Sequence, residues 1–171
     1  MTMLFVDVRG STALGERMSS AEFRELLNRF YAVATDVLTD NGAWLDKFVG
    51  DEAIGLFIPG FAGEDHAWLA GCPEGPWIPL GVGINTGPAF MGTVGTGKVC
   101  DITALGDEVN VAARLSSEAQ AGQIVFSEKT RRAISDEHAD FLRSMNLRDE
   151  SVALKGKRDP VPIYHYVAGR S

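Results

Sequence analysis

Cysteine and histidine are scarce in this chain. Cys72 and Cys100 are the only thiols among 171 residues, and neither stands at a metal-ligand spacing. That excludes a disulfide framework and points to a reducing compartment. His66, His138 and His165 are scattered, so no zinc site is legible. Cations are also in short supply, with 16 Lys and Arg against 23 Asp and Glu and a net charge of −7. Such a balance argues against a nucleic-acid partner or contact with an acidic membrane. An anionic ligand would need a local cluster of Lys, Arg or metal. Residues 75–97 carry no charge, yet ten of these 23 positions are Gly or Pro, which does not describe a lipid-spanning helix. No basic stretch precedes the first apolar run, so no signal peptide is expected and a cytoplasmic location is. Repeats, heptads and low-complexity segments are lacking too.

What is present reads as one globular domain over residues 1–171. The first residue lies almost at a strand start, and a regulatory domain ahead of it is expected. Met1 to Val8 is an apolar, β-favouring run interrupted by Thr2 and Asp7. Arg9-Gly10-Ser11-Thr12 then reads as a hydroxyl-rich turn. Ser19-Ser-Ala-Glu22 is a capping-box pattern, followed by Phe23, Leu26, Leu27, Phe30, Ala34, Val37 and Leu38 at helical spacing. Trp44 to Val49 and Ala53 to Ile58 form two apolar arms pinched at Gly50, a hairpin signature. Pro59 to Pro79 is weakly patterned, with a short helix expected over Asp65 to Ala70. Leu80 to Asn85, Phe90 to Val94 and Val99 to Leu105 predict short strands, and Glu108 to Ala121 a helix. A strand over Ile124 to Phe126, a short helix over Ser127 to Ile134, and strands over Ser151 to Leu154 and Val161 to Val167 complete the pattern. The alternation predicts an α+β fold, a mainly antiparallel sheet with helices on one face.

An aspartate inside an apolar strand is costly unless it is paired or binds a cation. Asp7 pairs with Arg9 on the simplest reading. The alternative is that Asp7, ending one strand, meets Asp51, beginning another just past a turn. Two converging carboxylates beside a turn rich in amides suit two divalent cations that clamp a phosphoryl group.

Five segments then resemble, in order, the motifs of the class III nucleotidyl cyclases. They are Phe5-Val-Asp-Val-Arg-Gly-Ser-Thr12, Lys47-Phe-Val-Gly-Asp51, Gly83-Ile-Asn-Thr-Gly87, Gly106-Asp-Glu-Val-Asn-Val-Ala-Ala-Arg114 and Leu154-Lys-Gly-Lys157. The resemblance spans roughly residues 2 to 167. It implies a ferredoxin-like βαββαβ core with extra C-terminal strands, and a homodimer with two active sites at its interface. Asp7 and Asp51, assisted by the Val8 carbonyl, would bind two Mg²⁺ or Mn²⁺. The amides of Gly10, Ser11 and Thr12 would cradle the β- and γ-phosphates. Across that interface Lys47 would reach the base together with Thr103 or Asp101. Asn110 and Arg114 would serve the ribose and the transition state, and Lys155, or alternatively Lys157, the terminal phosphates. Many relatives carry Asp where Thr103 stands, and Lys98 is the cation nearest to where a phosphate-contacting arginine is usual.

These resemblances imply an adenylate cyclase domain converting ATP to cyclic AMP and pyrophosphate. Lys47 can only donate hydrogen bonds, which suits adenine N1, whereas guanine offers a donor there. Two other readings stay open: a guanylate or mixed-specificity cyclase, and a catalytically silent nucleotide-binding regulatory module.

Overall fold

A computed structural model describes residues 1–62, 78–155 and 157–167. Seven strands form one sheet: β1 (Thr2–Val8), β2 (Trp44–Val49), β3 (Glu52–Phe57), β4 (Leu80–Thr86), β7 (Gln123–Ser127), β8 (Arg148–Val152) and β9 (Val161–Val167). Their spatial order is β2-β3-β1-β4-β7-β9-β8. The first four are antiparallel to their neighbours, in the order of a ferredoxin-like core. β7 adds to β4 as the one parallel pair, which makes the sheet mixed. Among the described residues, strands β5 (Phe90–Thr96) and β6 (Val99–Leu105) pair only with each other, as a separate two-stranded arm. The short helix expected over Asp65 to Ala70 lies outside the described residues.

Helix α1 (Ser11–Arg17) follows β1 directly, where the sequence suggested only a turn. Its single well-placed leucine, Leu14, and its internal Gly15 leave no periodic signal to read. Helix α2 (Ser20–Asp40) starts at the expected capping box, the Ser19 side chain and the Glu22 carboxylate each satisfying the other's backbone N–H. A turn of helix, α3 (Pro59–Ala62), follows β3. Helix α4 (Asp107–Glu118) stops three residues before the predicted end. Ala119 is already extended, and Gly122, at φ 77°, turns the chain into β7. α5 (Glu128–Ala133), a 3₁₀ turn at Asp136–His138 and α6 (Ala139–Ser144) lead to β8; the last two carried no sequence signal. β8 begins three residues earlier than expected and ends before Leu154, which is buried under α4 with Val111, Leu115 and Ile163.

Helices cover both faces of the sheet, not one. Leu4, Val6 and Val8 of β1 join Phe30 and Leu38 of α2 in one core, while Met3 and Phe5 join Ala112 of α4 in another. Successive strand residues point to opposite faces, so a run apolar at every position demands cover on both. α4 lies close on the sheet because β4 is glycine there. A Cβ on Gly83 would stand 2.0 Å from the Ser116 backbone nitrogen and 2.5 Å from the Ala112 carbonyl oxygen. Backbone cannot yield as a side chain can. Gly83→Ala is therefore expected to destabilise the domain by at least about 1–3 kcal/mol, the usual cost of overpacking. Urea unfolding of the two proteins measures it, and an unchanged midpoint would contradict this packing.

Candidate functional site

The register of β1 against β3 sets the centre of the site. Asp7 stands opposite Glu52, so the hairpin turn that carries Asp51 closes against the end of β1. The Val8 N–H donates to the Asp51 carbonyl at 3.1 Å, which locks the two segments together. Behind the turn, the Tyr31 hydroxyl of α2 donates to the Gly50 carbonyl, and the Tyr31 ring packs on Phe48 at 4.2 Å between centroids. Gly50, at φ 63°, occupies the left-handed region that the turn requires.

Three carboxyl groups meet there. Burial raises the Asp7 pKa, Arg9 opposes the rise, and Asp51 adds to it. Glu52 is pushed up to about 7, chiefly by burial and then by the charges of Asp7 and Asp51. Arg9 supplies the local countercharge, with Nη2 2.5 Å from Asp7 Oδ2 and 3.4 Å from the Ser116 hydroxyl. Gly81 makes room for that guanidinium, since a Cβ there would lie 2.5 Å from Arg9 Nε. The simplest sequence reading of Asp7, an ion pair with Arg9, is thus present alongside the convergence with Asp51. Acids held together against mutual repulsion attract a cation. Among the described residues no group of three or more His, Cys, Asp or Glu side chains is placed to hold a metal ion by itself. A hard cation that keeps waters and takes its other ligands from a phosphate needs no such group.

Beside this cluster, Gly10 (φ 72°) caps α1, and Ser11 and Thr12 form its first turn. Ser11 and Thr12, with Gly15, Phe23, Leu27, Gly50 and Asp51, line a depression of about 280 Å³.

A second group lies on the same face of the sheet, two strands away. Lys47 pairs with Ile54, two residues along β3 from the partner of Asp7. Its ammonium forms an ion pair with Asp101 of β6 and lies 3.9 Å from Asp46 Oδ2. The bond to Asp101 raises the Lys47 pKa. The Thr103 hydroxyl donates to Asp46 Oδ2 at 2.9 Å. Lys47, Asp101 and Thr103 are therefore one cluster within one chain.

The remaining candidates stand apart from both. Asn110 is exposed and Arg114 half-buried, on the side of α4 that turns away from the sheet, while Ala112, Leu115 and Ser116 face inward. Their apolar neighbours in sequence face the core and do not enclose them. Lys157 forms an ion pair with Asp107 at the start of α4, and lowers the Asp107 pKa through that bond. Lys155 is exposed, and Lys98 is exposed at the tip of the β5–β6 arm.

Sequence reasoning passed over Asp46 and Glu52. Asp46 carried the same signal that marked Asp7, an aspartate inside an apolar strand arm.

Residues 73–167 match the adenylate and guanylate cyclase catalytic domain as a family. The chain is 32% identical over 187 residues to an adenylate cyclase of Anabaena cylindrica, covering 98% of this chain and 37% of that protein. It is 33% identical over 188 residues to the terminal-differentiation-specific adenylate cyclase of Dictyostelium discoideum, covering 99% of this chain and 9% of that one. The chain thus spans well under half the length of these relatives. Among solved structures, it superposes on a guanylyl cyclase with a TM-score of 0.83 at 29% identity, covering 99% of this chain and 92% of the other. The adenylyl cyclase CyaB from P. aeruginosa gives 0.80 at 30% identity, covering 99% and 94%.

Proposed function

This chain belongs to the family of adenylate and guanylate cyclase catalytic domains, and from that premise we propose that it is an active adenylate cyclase domain. It converts ATP to 3′,5′-cyclic AMP and pyrophosphate. The observation that carries the reading is the meeting of Asp7 and Asp51 at adjoining strand ends, beside the Gly10–Thr12 turn.

Asp7, Asp51 and the Val8 carbonyl would hold the two Mg²⁺ or Mn²⁺ ions of a site. When bound, the ions acidify the ribose 3′-hydroxyl and offset charge on the phosphates. Arg9 balances the charge of Asp7 through their ion pair. The amides of Gly10, Ser11 and Thr12 face the β- and γ-phosphates. Lys155 neutralises the terminal phosphates, with Lys157 as the alternate and Lys98 approaching from the arm.

Asn110 and Arg114 turn away from their own sheet, so they serve the site of a second copy. There Asn110 orients the ribose, and Arg114 stabilises the equatorial oxygens as the 3′-oxygen attacks the α-phosphorus. The surface supports such a homodimer. Phe90, Val94, Ile102 and Leu105 are exposed on the β5–β6 arm, and Trp44 and Val49 on β2. Apolar side chains gathered in this way mark an interaction surface. No helix of the described residues is long and apolar enough to cross a membrane.

Product analysis after incubation with ATP or GTP and Mn²⁺ tests the reaction, and cyclic AMP is the expected product. Lys47 gives the sharper test of base choice. Lys47→Glu exchanges a donor for an acceptor opposite N1 of the base. It should lower kcat/KM for ATP and relatively improve GTP, with modest absolute GTP turnover because Thr103 still shapes the other edge. A ratio of the two kcat/KM values equal to that of the wild type would remove Lys47 from the base pocket.

A further inference from the structure

We propose that Asp46 sets the base preference of this domain by fixing Thr103 as a hydrogen-bond acceptor. The inference rests on the adenylate cyclase reading above and concerns the base pocket of that same site.

Asp46 is the irregular residue of β2. Leu45 pairs with Gly55 and Lys47 with Ile54, so Asp46 is the extra residue of a β-bulge. Bulges re-aim a side chain away from the alternation of the strand. Here the carboxylate turns inward and is only 4% exposed. Oδ2 accepts the Thr103 hydroxyl at 2.9 Å and lies 3.9 Å from the Lys47 ammonium. Oδ1 is buried and has no hydrogen-bond partner among the described residues. A buried carboxylate with one oxygen unpaired is costly in a strand, and an aspartate kept there calls for a role. Asp101, in contrast, is 60% exposed and engaged with Lys47. A pair so exposed is screened and loosely held, so Asp101 tethers the lysine without defining the pocket.

The consequence follows from proton counting. A threonine hydroxyl has one proton and two lone pairs. Once the proton is committed to Asp46, the oxygen can only accept from anything else. Lys47 can only donate. The pair therefore presents one donor and one acceptor, which complements adenine, whose N1 accepts and whose amine donates. Guanine reverses both groups, with a donor at N1 and an acceptor at O6. Without Asp46 the Thr103 hydroxyl is free to donate to O6, and half of that mismatch disappears.

The experiment compares kcat/KM for ATP, GTP and purine riboside triphosphate, which lacks the amine, in folded homodimers of four variants. Asp46→Leu removes both oxygens and keeps the branching of the side chain, Thr103→Val removes the hydroxyl, Thr103→Ser keeps it, and the fourth combines Asp46→Leu with Thr103→Val. The wild type should prefer ATP to both other nucleotides. Asp46→Leu should reduce the ATP-to-GTP ratio about tenfold, the worth of one well-placed hydrogen bond. The double variant should do no more than Thr103→Val alone, because Asp46 acts through that hydroxyl. Thr103→Ser should keep the wild-type ratio.

If Asp46→Leu slows ATP and GTP turnover equally and leaves the ratio intact, Asp46 is merely structural and the proposal is overturned. Should that variant fail to fold, Thr103→Val decides: a wild-type preference for ATP over the amine-free analogue overturns it. A wild type that does not distinguish ATP from GTP sinks the adenine reading itself, and this proposal with it.

Discussion

Asp51→Ala is expected to lower turnover by about 10³-fold or more, since metal-based charge stabilisation contributes several kcal/mol to such reactions. The fold should survive. The contact that locks Asp51 to β1 is its backbone carbonyl, which accepts from Val8 N–H and is untouched by the change. The side chain's charge raises the pKa of both Asp7 and Glu52, and its hydrogen bond to Asp7 raises that of Asp7 further. Removing it relieves the cluster, so the thermal midpoint should stay level or rise while activity vanishes. That opposition separates a catalytic carboxylate from a structural one, whose loss would lower both together. The measurements are kcat/KM at saturating Mg²⁺ or Mn²⁺ and a thermal melt of the same preparation. Near-normal activity in a folded Asp51→Ala protein would end the two-metal assignment.

Complementation between two inactive variants is the second large effect. Asp7 and Asp51 meet at adjoining strand ends, whereas Asn110 and Arg114 are on the side of α4 that turns away from the sheet. If each site takes its aspartates from one copy and its Arg114 from the other, Asp51→Ala and Arg114→Ala homodimers are both nearly dead. The arginine should account for about 10²–10³ in rate, in line with other groups that stabilise developing charge. In a mixed dimer one site carries both lesions and the other carries neither. With random pairing roughly half of the dimers are mixed and half of their sites are intact, so activity should return to about a quarter of wild type. Recovery should require subunit exchange and fail when each variant is crosslinked beforehand. Verified heterodimers without activity would place the whole site within one chain, or make the dimer non-catalytic.

Local rules decided much of this chain. The start of α2 was legible because a capping box is complete within four residues. The β2–β3 hairpin was legible from two apolar arms and one glycine. The meeting of Asp7 and Asp51 followed from the same logic, since an acid ending one buried strand and an acid opening another are neighbours once the strands pair. α1 and α6 were illegible: each is short and has no periodic apolar face, so only the surroundings hold it helical.

What depends on two distant segments meeting was decided by tertiary structure alone. Helices on both sheet faces were hidden because an apolar run states that both faces are covered, not by what. The glycines of β4 became meaningful only when α4 was found lying on them. The bulge at Asp46 left no mark in the sequence, since β-pairing irregularities depend on the partner strand. With it was hidden the bond to Thr103, 57 residues further along the chain. Residue types named the candidate groups, but which atom donates and which accepts was settled by the packing of β6 against β2, because a hydroxyl proton goes to whichever acceptor the fold places beside it.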